Sequence, residues 1–177
     1  MDFVRVAAAL SDFLRKERFP FAVAGAFALH AYGVSRATAD LDFVTDAGAR
    51  DPLVAFLVSL GYETLHVSQG FSNHVHQDPA LGRVDIIYVE GDTSRRLFAE
   101  AATVLRLDSG LELPVPTPEH IIAMKVHAMK NDPRRTFQEM ADIQRLLLLP
   151  GIDRAQVALA FERAGLRRKY DEILESL

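Results

Sequence analysis

Apolar positions recur along this chain at two alternating spacings, and the alternation divides it into elements. Phe3, Val6, Leu10, Phe13 and Leu14 keep a helical spacing, which predicts an amphipathic helix over 2–18 that ends before Pro20. The apolar run 21–24 reads as a short buried strand. Gly25 follows, then a helix over 26–32 closed by Gly33. Leu41, Phe43 and Thr45 alternate with Asp40, Asp42 and Val44, the period of a strand. A helix over 51–60 stops at Gly61, and strands are expected near 62–67, 71–77 and 83–89. A helix over 94–102 precedes extended segments near 103–107 and 111–115. The strongest punctuation is Pro114-Val115-Pro116-Thr117-Pro118. Thr117 has the side chain of an N-cap and Pro118 suits a first helical position, so a helix should open there and run to about Lys130. Beyond it the pattern is helical throughout, near 134–149, 153–163 and 167–176. The expected organisation is an α/β part over 1–115 and a helical part over 116–177 packed on it as one compact unit. No repeat, low-complexity tract or Gly/Ser linker argues for more.

Composition narrows the classes without choosing among them. With 177 residues, 49% hydrophobic and 25% charged, the chain has the balance of a globular protein with a core of its own. Lys and Arg number 20 against 24 Asp and Glu, a net charge of −4, so no global basic field draws it to nucleic acid or an anionic membrane. It has no Cys, which excludes disulfides, thiolate zinc sites and a Cys nucleophile and suits a reducing compartment. Asp2, Arg5, Asp12 and Arg15 interrupt the apolar residues of the N-terminus, and no window approaches 18 apolar residues. A cytoplasmic protein without membrane attachment is expected.

The chemistry concentrates between Val23 and Val44. Asp40 and Asp42 stand two apart on a strand, so their carboxylates leave the same face. Two carboxylates about 5 Å apart repel by roughly 3 kcal/mol at an effective dielectric of about 20 unless a cation sits between them. Magnesium is the natural remedy, a hard ion held by one or two carboxylates together with substrate phosphates; manganese would serve as well. Gly25, between a strand and a helix, offers backbone N–H groups to a phosphate with no Cβ in the way. Arg36 and Thr38 bring a cation and a hydroxyl to the same edge. Asp85 is the only acid in the run Arg83-Val84-Asp85-Ile86-Ile87-Tyr88-Val89, where an unpaired charge is costly. A metal shared with Asp40 and Asp42 would satisfy it; a wet strand end beside Arg83 would also.

The succession Gly25-Ala26, helix, Gly33, Arg36-x-Thr38-x-Asp40-x-Asp42 and a later strand Asp85 resembles the nucleotidyltransferases of the DNA-polymerase-β-like superfamily, over about residues 20–148. The resemblance is to small bacterial members, including the AbiE-type toxin group and minimal nucleotidyltransferases. It implies an α+β fold, a mixed sheet carrying the three aspartates, flanked by helices and followed by C-terminal helices. It also implies magnesium-dependent transfer of a nucleoside monophosphate from a nucleoside triphosphate to a hydroxyl acceptor: an RNA or tRNA end, a protein or a small molecule. Asp40, Asp42 and Asp85 would hold metal, with Asp85 also taking the acceptor's proton. Gly25, Ala26, Arg36, Thr38 and Lys125 would bind the nucleotide. In the family's pattern a Gly or Ser stands where this chain has Ala26, which keeps the N–H and loses any hydroxyl.

The C-terminal part bears on this independently. At 100° per residue, Ile121, Ile122, Ala128 and Met129 form one apolar arc with Lys125 in its middle, so Lys125 is not a solvated lysine. Either its stem lies along the core or its ammonium points into the active cleft, and the acidic cluster and phosphate neutralisation favour the second. The resemblance assigns Asp142 to orienting Lys125 and replaces the family's upstream Lys-Asp pair with Gln138-Glu139. Arg135, Glu139 and Asp142 form a charged stripe of the kind that is ordinarily a set of surface ion pairs. His74 and His76 on one strand face are a weaker zinc reading; His30, His120 and His127 read as packing or solvated residues, and Arg167-Arg168-Lys169 as a solvated helix start or a contact to RNA phosphates. The competing expectation is a catalytically silent binding module with this fold, one half of a toxin and antitoxin pair.

Overall fold

A computed structural model of the chain describes residues 1–101 and 103–177. In chain order the main elements are α1 (Phe3–Lys16), β1 (Phe21–Val23), α2 (Gly25–Ala31), β2 (Asp40–Asp46), α3 (Arg50–Ser59), β3 (Glu63–Val67), β4 (Phe71–Val75), β5 (Arg83–Val89), α4 (Gly91–Glu100), β6 (Thr103–Arg106), β7 (Glu112–Val115), α5 (Pro118–Asn131), α6 (Thr136–Leu147), α7 (Arg154–Ala164) and α8 (Arg167–Glu175). They fall into two units, residues 1–31 with 35–116, and residues 32–34 with 117–177.

The first unit is built on a mixed five-stranded sheet in the order β1-β2-β5-β4-β3, so the fold is α+β. β2 and β5 run parallel at its centre; the other neighbours are antiparallel. Every residue of β1 is buried, as a short apolar run without polar alternation requires. In α1, Val6, Ala7, Leu10 and Leu14 face inward, and Asp2 caps the helix by accepting from the Arg5 amide at 3.1 Å. The Phe13 and Phe56 rings stack at 4.2 Å, joining α1 to α3. Ser94 donates to Asp46 at 2.6 Å, tying α4 to the end of β2. β6 and β7 form a separate two-stranded ribbon.

The second unit is helical, α5 packing on α6 and α7, and α8 on α6 and α7. The Thr117 side chain accepts from the His120 amide at 3.4 Å with Pro118 at the start of α5, the cap that the Thr-Pro pair predicts. Gly165, at φ +74°, closes α7 in the left-handed conformation. Among the described residues no helix is long and apolar enough to cross a membrane.

Several boundaries differ from expectation, each for a local reason. α4 begins at Gly91 rather than near 94, because a positive φ of 61° lets the chain turn directly from β5 into a helix. Of the helix expected over 94–102, Ala102 lies outside the described residues. β4 stops at Val75, where the Asp78 amide donates to His76 Nδ1 at 2.9 Å and begins a turn. Two short 3₁₀ segments, Ala47–Ala49 and Pro133–Arg135, were not legible in the periodicity; Asp46 and Asp132 cap them.

Candidate active site

The period of β2 places Asp40 and Asp42 on one face, and the parallel register sets Asp85 opposite Asp42 and Arg83 opposite Asp40. Four charged side chains therefore form a two-by-two plaque on neighbouring strands spaced roughly 4.8 Å apart. Each acid is held by something specific. Thr38 donates to Asp40 Oδ1, and the Asp40 amide donates back to the Thr38 hydroxyl at 3.4 Å. Thr38 thus holds the Asp40 carboxylate in place. Asp42 lies against Gly25: a Cβ there would sit 2.6 Å from Asp42 Cγ and closer still to Oδ2, and Gly25 has φ +56°. The glycine expected for phosphate approach is required by the neighbouring carboxylate. α2 behind it is only seven residues long, and Ala26 is buried.

Asp85 is buried and fully engaged. Arg83 donates through Nε to Oδ1 at 3.0 Å and through Nη2 to Oδ2 at 3.3 Å, while Asn73 of β4 donates to Oδ1. Of the wet strand end beside Arg83, the structure keeps the partner and not the exposure: Arg83 pairs with Asp85, which is buried. The Arg83 guanidinium is raised above its ordinary range, chiefly by the hydrogen bond to Asp85, against a loss from burial, with the charges of Asp85, Asp40 and Asp42 adding. Among the described residues no three acidic or imidazole side chains form a ready-made ion cage. The donor set still fits a hard divalent cation: three carboxylates share one face, and all their ligand atoms are oxygens. Arg83, two before Asp85 on the same strand, is the partner the sequence suggests, whereas Asn73 on β4 carries no local signal.

Arg36 lies beside the C-terminal end of α2, where its amide donates to His30 Nε2 at 3.3 Å and its carbonyl stands 3.2 Å from the same ring nitrogen. His30 is exposed and braces the Arg36 backbone rather than packing in the core.

In the helical unit, Lys125 is buried as its place in the apolar arc requires, and its ammonium pairs with Asp142, the partner the resemblance assigns it, and with Glu139. Nζ lies 2.8 Å from Glu139 Oε2 and 2.6 Å from Asp142 Oδ2, both buried. Arg135 reaches the other oxygen of Glu139 at 2.6 Å. The stripe read as surface ion pairs is a buried network because α5 presents a cation to it. Glu139 was undervalued in the sequence for want of that partner.

The imidazoles do not assemble a zinc site. His74 is buried with Nε2 2.8 Å from Ser72 Oγ and Nδ1 3.1 Å from Thr64 Oγ1, and Ser72 continues to Tyr88 at 2.7 Å. Both ring nitrogens are used, and His76 has left the strand. Burial lowers the His74 pKa below the ordinary 6.5, with Asp85 opposing. Below that ordinary value the unfolded chain binds a proton that the folded chain refuses, so acidification destabilises the fold. Between pH 6.5 and the lower folded value, stability should fall by up to about 1.4 kcal/mol per pH unit, and the slope should diminish by that much in His74→Gln, read from urea melts across pH 5–7. The basic cluster at the start of α8 is engaged within its own unit: Arg167 pairs with Glu162 at 2.6 Å and Asp171 at 3.1 Å, and Lys169 with Glu172 at 2.8 Å.

No protein-family model matches the sequence, and no curated protein matches it. Solved structures do. One is ANT(2'')-Ia in complex with adenylyl-2''-tobramycin, with a TM-score of 0.64 at 15% identity over 96% of this chain and 99% of that one. The lincosamide antibiotic adenylyltransferase LnuA, bound to lincomycin, gives 0.56 at 13% identity over 81% and 96%. An antigenic nucleotidyltransferase-like protein from Paracoccidioides brasiliensis gives 0.53 at 17% identity over 98% and 91%. The chain therefore has the nucleotidyltransferase fold, with the Asp40, Asp42 and Asp85 plaque at the centre of its sheet.

Proposed function

We propose that this protein is a nucleotidyltransferase that moves a nucleoside monophosphate from a nucleoside triphosphate to the hydroxyl of a small-molecule acceptor. The observation that carries the reading is the register of β2 on β5, which puts the Asp40 and Asp42 pair and the distant Asp85 on one face beside Gly25. Such a concentration of like charge is costly for folding alone and useful for holding a cation against phosphates. Asp40 and Asp42, joined by Asp85, would hold the divalent ion, which when bound supplies charge neutralisation for the triphosphate and the departing pyrophosphate.

The remaining roles belong to the chain itself. Thr38 fixes the Asp40 carboxylate, and the absence of a Cβ at Gly25 leaves room for Asp42. Asp85, anchored by Asn73, accepts the acceptor's hydroxyl proton as its oxygen bonds to the α-phosphorus and the bond to pyrophosphate breaks. Arg36 supplies positive charge to the phosphates. Lys125 and Asp142, assigned to the nucleotide and to orienting that lysine on resemblance, are read as parts of the helical unit's buried network, since two carboxylates already hold the ammonium.

A small acceptor is favoured over RNA by the net charge of −4 and by likeness over nearly the whole of both chains to a protein whose structure holds adenylyl-2''-tobramycin. The AbiE-type toxin reading, with a cognate antitoxin as partner, rests on the motif order alone. The test is incubation with each α-labelled nucleoside triphosphate, magnesium or manganese, and acceptors of three classes: aminoglycosides and lincosamides, tRNA, and cell protein. Label should pass to a small hydroxyl compound. Label passing only to tRNA or protein would establish the toxin reading; no transfer to any acceptor, with no nucleotide protection in a thermal melt, would leave a silent binding module.

A further inference from the structure

The acidic face carries a cation of its own, and its placement is unlike that of an ordinary surface ion pair. Asp85 has about four lone-pair sites on its two oxygens, and three of them are taken, two by the Arg83 fork and one by Asn73. A carboxylate so occupied has little left to offer a metal. The two partners differ in freedom: the Asp85 side chain is 10% exposed and that of Arg83 is 47% exposed. Asp85 cannot leave its place without abandoning Asn73 and the strand core. Arg83 can swing its guanidinium into water at small cost.

We propose that Arg83 is a resident counter-ion which yields Asp85 to the incoming divalent cation, so that Arg83 is a positioning residue that sets the metal concentration at which the site loads. The inference rests on the reading of Asp40, Asp42 and Asp85 as metal-holding acids. In the unloaded protein Arg83 masks the repulsion within the plaque and keeps Asp85 aligned. When the ion arrives, Asn73 retains Asp85 while Arg83 withdraws. Arg83 thereby competes with the metal it prepares for.

A purely structural role predicts that removing Arg83 weakens or leaves unchanged the binding of metal, while competition predicts a gain. The test is titration of the full chain, without nucleotide, with Mn²⁺, free ion being followed by electron paramagnetic resonance. Arg83→Gln should bind Mn²⁺ roughly tenfold more tightly than wild type, about 1.4 kcal/mol. Its melting temperature without metal should fall and should recover on adding Mn²⁺ more than wild type's rises. Arg83→Lys keeps the charge and loses the fork, so it should tighten binding by a factor of roughly two to three, and it serves alone where the glutamine variant does not fold. Unchanged or weaker Mn²⁺ binding in these variants, with wild-type binding that Asp42→Asn abolishes, overturns the exchange and spares the metal assignment. Wild-type binding that is absent, or indifferent to Asp42→Asn, overturns both.

Discussion

Asp40→Asn and Asp42→Asn should each reduce nucleotidyl transfer by about a thousandfold while the melting temperature stays at or above that of wild type, measured without metal. The two effects have opposite signs because the residues are placed for charge rather than for packing. Each carboxylate shares its face with two others, so neutralising one relieves repulsion that the fold otherwise bears. Nothing comparable to a core cavity is created, since Asp40 and Asp42 are both partly open. A structural acid behaves the other way, losing stability when its charge is removed. Gly25→Ala supplies a second route to the same loss. Its methyl group would occupy the space of the Asp42 carboxyl, so transfer should collapse although all three acids remain. Here stability should fall too, by about 1 kcal/mol for the left-handed backbone alone. Label transfer and thermal melts on the three variants decide the matter; retained transfer in Asp42→Asn would refute the assignment.

Lys125→Met should cost about 3–5 kcal/mol, the largest stability effect expected in the helical unit. The substitution preserves most of the stem's volume and removes the charge that Glu139 and Asp142 share, leaving both carboxylates buried without it. Two desolvated carboxylates without their shared cation are worse than an apolar core, so the triple variant Lys125→Met, Glu139→Met, Asp142→Leu should recover most of the loss. Urea melts with the extrapolated free energy as readout distinguish the outcomes. A loss under 1 kcal/mol in Lys125→Met would mean that water reaches the ammonium and that the network contributes little. Asp142→Asn should cost less, because its amide still accepts from Nζ through the remaining oxygen.

Much of the site was open to reading because its signals are short-range. The Asp40 and Asp42 pair follows from a strand's period of two, the burial of Lys125 from a helix's period of 3.6, and the start of α5 from Thr117-Pro118; each needs only a few residues of backbone geometry. Gly25 stands out in the sequence between a strand and a helix, but its second task does not: a positive φ and a missing Cβ accommodate Asp42, seventeen residues on. Glu139 was misjudged for the same cause. A charged stripe on α6 looks solvated until another helix lays a lysine across it. His74 and His76 seemed a pair only while the strand was taken to run past Val75.

By itself, the amino-acid order determined which segments are helices and strands, which faces of them are apolar, and that two acids leave one strand side by side. Those properties arise from interactions between near neighbours along the backbone. The tertiary structure alone decided that Asp85 pairs in register with Asp42, that Arg83 and Asn73 grip it, and that Glu139 closes on Lys125. Strand pairing and helix packing join residues separated by many positions, and their register is chosen by the burial of whole apolar faces, which no local pattern contains.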